Sequence, residues 1–344
     1  MVDIYGPAAG ADQQLIATYS QDLSSTLGDC VNIFCINGDE VNQAFSVLKD
    51  RNLHVPGSKN VIYPAWELER YPDEWAKIID CFDEVWAPSL FIAQCLEKSV
   101  SIPVVHMPLA CEIGTRALVS RRYFGIPESS YSFFFAFDFL SYVERKNPYA
   151  VLDAFQKLVN ARPNADVNLV IKINNSMARL DQWALFSNHI EAYRDRVTII
   201  DRTLSDLEMK ALLWNIDCFV SLHRSEGFGR GMSEAMVLGK PVIATAYSGN
   251  MDFCRRETAF LVPYELTDVR PGEYPYWQGQ KWADANTDAA AQTMIGLADT
   301  PDTGVKMGMA ARAVMAAEFS FLARGLDYAA QAQRLLNVNT KEYT

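Results

Sequence analysis

The segment from Asp217 to Met251, DCFVSLHRSEGFGRGMSEAMVLGKPVIATAYSGNM, constrains the fold more than any other part of the chain. The apolar run Asp217 to Leu222 reads as a buried strand, Arg224 to Gly229 as a turn, and Met232 to Leu238 as a helix. Gly239 caps that helix, Pro241 prevents its continuation, and Val242 to Thr245 reads as a second strand, so the segment is a β-α-β unit. Free backbone N–H groups at the helix start, near Phe228, Gly229, Arg230 and Gly231, would form an anion site of a size for a diphosphate. Gly227 and Gly229 would let a ligand approach the backbone closely. Glu226 precedes the helix and Glu234 lies eight positions later inside it, so the two carboxylates can accept hydrogen bonds from two different sets of hydroxyls. Complementing the helix dipole, worth about 0.3–1 kcal/mol, accounts for one acidic residue here. It does not account for two glutamates, two glycines and a following Ser248-Gly249-Asn250.

The rest of the chain alternates in the same way. Residues 2–5, 31–36, 60–64, 83–87 and 103–107 read as strands, with helices at 11–27, 40–51, 73–81 and 89–98. That alternation predicts a parallel sheet. The pattern breaks between Cys111 and Ser132, where Arg116, Arg121, Arg122, Gly125 and Pro127 interrupt it. A second series begins with the aromatic strand Phe133 to Phe137; Asn147-Pro148 then suits an N-cap and first helical residue. Strands fit 167–173, 196–200, 217–222 and 242–245, and helices fit 180–194 and 206–215. The segment 263–283 carries Tyr274, Tyr276, Trp277 and Trp282, too apolar for a solvated linker, and is expected to be an ordered loop or insertion. The expected organisation is a domain over 1–115, a second over 116–318, and a C-terminal helix within 319–344.

The pattern Glu226-Gly-Phe-Gly-x4-Glu234-Ala-Met-x2-Gly239-x-Pro241-Val-Ile-Ala resembles the E-x7-E signature of retaining glycosyltransferases of family 4. The resemblance implies an α/β, GT-B fold, two Rossmann-like domains with parallel sheets facing a cleft, with the C-terminal helix of 319–344 crossing back to the first domain. It implies a hexosyltransferase that moves a hexose from a nucleoside diphosphate sugar, UDP- or GDP-linked, to a hydroxyl of a saccharide acceptor. Glu226 would touch the transferred sugar and Glu234 the ribose. The chain departs from the pattern at Arg230-Gly231, where relatives often have Leu-Pro. Tyr142 to Pro148 looks like the family's basic loop, which gives Lys146 to the diphosphate rather than to the fold, and Arg145 as the second cation in place of an absent Gly-Arg. An exposed Arg-Lys pair at a helix start would otherwise be poorly placed against the dipole. Lys172, at the end of an apolar strand, is either a further donor-site cation or a snorkelling structural lysine. In the first domain Gly6 to Gly10 replaces the family's Gly-Gly loop, with Gly10 left to approach the donor. Trp66, Glu67 and Asn37 follow expected strand ends and are candidates for the acceptor side; the alternative is that Trp66 is core and Glu67 a helix cap.

Composition agrees with two domains: 344 residues and 49% hydrophobic content suffice for two cores. No apolar run reaches the roughly 18 residues of a membrane span, and no leader pattern is visible, so a cytoplasmic protein is expected. Seven cysteines without CxxC spacing are expected to be mostly buried free thiols, and the four histidines have no ligand spacing. No Asp-x-Asp occurs, so no metal and no cofactor beyond the nucleotide-sugar donor are expected. Residues 1–115 hold 16 acidic and 6 basic side chains. That balance argues against nucleic acid and against strong binding to anionic membranes, and for a soluble or protruding glycan acceptor in polysaccharide or glycoconjugate synthesis. A homo-oligomer is compatible with the sequence. The rival readings are a non-catalytic sugar-nucleotide-binding subunit and a GT-B sugar-nucleotide epimerase.

Overall fold

Apolar strand runs joined by crossover helices build two separate parallel sheets in the computed structural model, which describes residue 27 and residues 30–53, 57–114 and 119–338. The expected strand at 2–5, the helix at 11–27 but for its last residue, Gly10, His54 and Arg116 lie outside the described residues. Two compact units result. The first comprises the described residues up to Trp66, Arg70–Leu109 and the chain from Leu322 onward; the second comprises Glu67–Glu69 and Ala110–Phe321.

In the first unit β1 (Val31–Phe34), β2 (Lys59–Ile62), β3 (Glu84–Ala87) and β4 (Val104–His106) pair in sequence order, all parallel. Helices Val41–Asp50, Asp73–Ile79 and Leu90–Leu96 connect them. The last helix among the described residues, Phe321–Val338, sends Gln331 and Arg334 to the buried carboxylate of Glu84 on β3, at 2.6 and 3.2 Å. A carboxylate buried in a strand needs such partners, and Trp86 donates a third hydrogen bond to it at 2.6 Å.

In the second unit β5 (Tyr131–Asp138), β6 (Val167–Asn174), β7 (Val197–Asp201), β8 (Cys218–Ser221), β9 (Val242–Thr245) and β10 (Phe260–Val262) form one parallel sheet in the order β10-β9-β8-β5-β6-β7. Its strands read as continuous apolar runs because helices cover both faces. Helices Pro148–Ala161, Leu180–Ile190, Asp206–Asn215 and Arg230–Val237 make the crossovers. The chain travels outward from β5 to β7, returns to the centre, and travels outward again from β8 to β10. β5 and β8 are therefore neighbours at the reversal of strand order, where an open α/β sheet leaves a crevice beyond its carboxyl ends.

Several sequence expectations change in detail. The helix expected from Met232 begins at Arg230, because Gly229 takes a left-handed φ of 99° and turns the chain directly into it. Asn147 is not a side-chain N-cap; it has a φ of 53° and its Nδ2 donates to the Leu222 carbonyl at 3.0 Å. Residues 263–283 are a long turn framed by an antiparallel pair, β11 (Tyr264–Asp268) and β12 (Lys281–Ala285), with Trp282 fully buried. Helices Thr287–Asp299 and Pro301–Glu318 were not assigned from the sequence; the first buries Ala290, Ala291, Met294, Ile295 and Leu297, and the second a face of mostly small residues, Gly304, Gly308, Ala311 and Met315. Gly308 lets the second of these lie against the end of Arg230–Val237; a Cβ there would stand 2.0 Å from the Gly239 carbonyl oxygen. Of the cysteines, Cys95, Cys111, Cys218 and Cys254 are buried, but Cys30, Cys35 and Cys81 are exposed, and all are free.

Phe155 is fully buried between Phe133 of β5 and Tyr193. Phe155→Ala should lower the unfolding free energy by about 3–5 kcal/mol in urea. A loss under about 1 kcal/mol would mean that Pro148–Ala161 is not packed on the sheet as described.

Candidate active site

The loops after β5 and β8 meet over the reversal point and are fastened to each other. Asn147 Nδ2 donates to Leu222 O at 3.0 Å, the Arg224 amide donates to Arg145 O at 2.8 Å, and Arg145 Nη1 donates to Ser225 O at 3.0 Å. Between them lies an ion cluster. Lys146 Nζ is 2.5 Å from Glu226 Oε1, and Arg145 Nη1 is 3.4 Å from Glu226 Oε2 and 3.9 Å from Glu67 Oε1. Tyr274, carried between β11 and β12, donates its hydroxyl to the other Glu67 oxygen. Three of the residues singled out from sequence, Arg145, Lys146 and Glu226, are thus brought together, and Glu67 joins them because Glu67–Glu69 packs with the second unit.

Burial alone would raise the Glu226 carboxyl, but Lys146 and Arg145 outweigh it and hold the carboxyl at about 2. Arg145 is 5% exposed and is engaged by Glu226, Glu67, Ser225 and Ser141, so it acts on the carboxylates rather than standing open to a ligand. Lys146 keeps 23% of its side chain exposed. His223 was missed in the sequence because it fits no motif. Its Nε2 faces two acceptors, Tyr247 O at 3.2 Å and Asn250 Oδ1 at 3.1 Å, which places the proton there and leaves Nδ1 to accept from Ser221 Oγ at 2.9 Å. Burial pushes its pKa down and keeps it neutral.

Glu234 sits on the helix one turn beyond Arg230, whose Nη2 lies 3.6 Å from it, and burial raises its carboxyl. The first-turn N–H groups of Arg230–Val237 have no carbonyl one turn earlier within the helix, as any helix start requires. The neighbouring glycines have packing reasons. A Cβ at Gly231 would stand 2.9 Å from the Phe219 ring, and one at Gly249 would stand 2.0 Å from Gly227 O. Phe228 is not turned to a ligand; it packs in a buried cluster with Phe253 and Phe319. Lys172 is buried and donates at 2.6 Å to Ile173 O and to Asn174 Oδ1 at the end of β6, so it serves the strand end and not the ion cluster.

In the first unit a cavity of about 330 Å³ lies beyond the carboxyl ends of β1, β2 and β3, lined by Cys35, Asn37, Glu40, Tyr63, Pro88 and Leu109. Asn37 lines it while its Oδ1 accepts from the Ala65 amide at 2.9 Å. Trp66 is core: it is 2% exposed, packs edge-on to Tyr71 and Trp75, and donates Nε1 to Arg70 O at 2.9 Å. No sugar can stack on a ring so enclosed, which corrects the expectation for this residue.

Lys146 is ion-paired to Glu226, so a contribution to stability is expected of it that the sequence reading did not give. Glu226 titrates at about 2 when folded against an ordinary 4.5. Its pairing adds stability above about pH 4.5 and loses it as the pH falls towards 2. Lys146→Ala should cost about 1–3 kcal/mol at pH 7, and the gap to wild type should narrow between pH 4.5 and 3 in urea titrations. An equal gap at both ends of that range would show that the pair contributes nothing.

Residues 134–269, from β5 to the end of β11, match the family described as glycosyl transferases group 1. No curated protein sequence matches the chain. Among solved structures, Anabaena Alr3699/HepE in complex with UDP-glucose is similar, with 14% identity, a TM-score of 0.66, and coverage of 94% of this chain and 81% of that one. TarM of S. aureus, in complex with UDP, alpha-GlcNAc-glycerol and fondaparinux, shares 13% identity with a TM-score of 0.64 over 92% of this chain; the chain spans 58% of the length of that relative. The pneumococcal O-GlcNAc transferase GtfA, in complex with UDP and GlcNAc, shares 14% identity with a TM-score of 0.62, covering 96% of this chain and 61% of that one. At such identities likeness carries the fold, and the chain has the α/β GT-B fold, with parallel sheets in two Rossmann-like domains.

Proposed function

We propose that the protein is a retaining glycosyltransferase that moves a hexose from a UDP-linked sugar to a hydroxyl of a saccharide acceptor. The observation that carries this reading is a carboxylate kept charged beside an accessible lysine, Glu226 and Lys146, at the reversal point of the sheet and just before a helix start. The donor's diphosphate would take Lys146 from Glu226 and bind the first-turn N–H groups of Arg230–Val237, two sources of positive potential. Glu226, released from Lys146 but still held by Arg145, would accept hydrogen bonds from the sugar. Glu234 would accept from the ribose. The bond from the anomeric carbon to the diphosphate breaks as the acceptor oxygen bonds to the same face, and the departing phosphate oxygen takes the acceptor's proton. Lys146 and the helix amides stabilise the negative charge that builds on the leaving group, so no metal is required.

The cavity beyond β1 to β3 is the acceptor side in this reading, with Asn37 and Glu40 as its polar groups. The excess of acidic side chains in residues 1–115, 16 against 6, favours a soluble or protruding glycan over an anionic bilayer surface. UDP is preferred over GDP because UDP complexes recur among the structural relatives.

UDP at 100 times its dissociation constant should stabilise the protein by about 2.7 kcal/mol in a thermal-shift assay. Glu234→Ala should weaken UDP and UDP-sugar alike. Glu226→Ala should bind UDP as well as wild type or better, since Lys146 is then unpaired, while turnover falls about ten- to a hundredfold. Identical profiles for the two variants would refute the division of roles, and stabilisation by GDP but not UDP would refute the base.

A further inference from the structure

Ser248 has a φ of 74° and a ψ of −151°, a conformation that glycine adopts freely and other residues adopt only under strain. The loop after β9 around it is pressed backbone to backbone on the loop that carries Glu226. The Gly249 amide donates to Glu226 O at 2.9 Å, and no Cβ fits at Gly249 against Gly227. A glycine at 248 would complete that contact without strain. The serine adds one thing that glycine cannot: its Oγ accepts a hydrogen bond from the Glu226 amide at 2.8 Å while donating to Tyr247 O at 2.6 Å. Glu226 is thus gripped on both sides of its Cα, at its N–H by Ser248 and at its carbonyl by Gly249. His223 and Asn250 lock the gripping loop from behind through Tyr247 O, Asn250 Oδ1 and the bond from Asn250 Nδ2 to Thr245 O at 3.1 Å.

We propose that Ser248 is a positioning residue, whose hydroxyl holds the Glu226 backbone so that its carboxylate stays between Lys146 and Arg145. The backbone strain at Ser248 is the cost of supplying that hydroxyl at that point. The groups facing the Glu226 carboxylate are the cations Lys146 and Arg145, carried on the loop after β5, and the neutral His223, which shares the Tyr247 carbonyl with Ser248, so loss of the hydroxyl acts on the two cations only through the placement of Glu226. The effect on turnover rests on the donor-site reading above; the effect on Glu226 itself does not.

Two variants separate the hydroxyl from the backbone. Ser248→Gly removes the hydroxyl and relieves the strain, whereas Ser248→Ala removes the hydroxyl and keeps it. Carbon-13 NMR of the Glu226 carboxylate, assigned by its absence in Glu226→Gln, should show Glu226 titrating at higher pH in both variants and to the same extent, with the glycine variant melting above the alanine variant. With UDP-glucose as donor probe, both variants should lose about tenfold in turnover with UDP affinity unchanged, and the loss should vanish in a Glu226→Ala background. A Glu226 titration in Ser248→Gly superimposable on wild type would overturn the proposal, as would glycine and alanine variants that titrate differently. Failure of the wild-type protein to bind UDP would instead remove the functional reading, while the titration would still decide the role of Ser248.

Discussion

Everything at the reversal point depends on one buried arrangement of charge, Glu226 held between Lys146 and Arg145. Taking a carboxylate and two cations out of water costs several kcal/mol for each, and the cost is offset only when geometry and additional hydrogen bonds are in place. The requirement reaches outward. Lys146 stands 80 residues from Glu226 in sequence and Arg145 precedes it, so their loops must be tied by Asn147 to Leu222 and by Arg224 to Arg145 before the charges can meet. The loops in turn start from β5 and β8, which are adjacent only because the chain reverses its direction across the sheet.

Backbone strain gathers around the same place. Tyr142, Asn147 and Ser248 all have positive φ without being glycine, and each borders the loops that carry the ion cluster. Such conformations persist where the surroundings over-determine them. Tyr142 has its ring centroid 4.8 Å from that of Tyr274, Asn147 spends its amide on Leu222, and Ser248 spends its hydroxyl on Glu226. A site assembled in this way presents fixed charge before any substrate arrives, which is the property that electrostatic catalysis of a leaving group demands.

Much of the second unit was legible in the sequence. Strand, turn, helix and strand from 217 to 245 announce themselves by apolar runs punctuated with glycine and proline, and Val242–Thr245 and Asp206–Asn215 have the expected bounds. The helix Pro301–Glu318 was not legible, because Gly304, Gly308 and Ala311 bury a face without producing an apolar stripe. At the site, Glu226, Lys146 and Arg145 came from pattern, but Phe228 was read as a ligand contact when its ring packs on Phe253, and the packing of Gly231 against Phe219 was not foreseen. Trp66 and Glu67 are adjacent in sequence and part company in space, the ring into the core of the first unit and the carboxylate towards Tyr274 and Arg145.

The sequence by itself determined the period of each element and the chemistry available: parallel α/β units, a helix start preceded by glutamate and glycine, and cations ahead of another helix. Those follow from local rules, since periodicity, capping and glycine geometry act within a few residues. Tertiary structure alone decided which charges pair. It turned Arg145 inward to two carboxylates, left Lys146 partly open, recruited Glu67, Tyr274 and His223, and set Ser248 into strain beneath Glu226. The physical reason is that desolvation and pairing depend on what stands within a few ångströms in space, and for these residues that distance bears no relation to their separation along the chain.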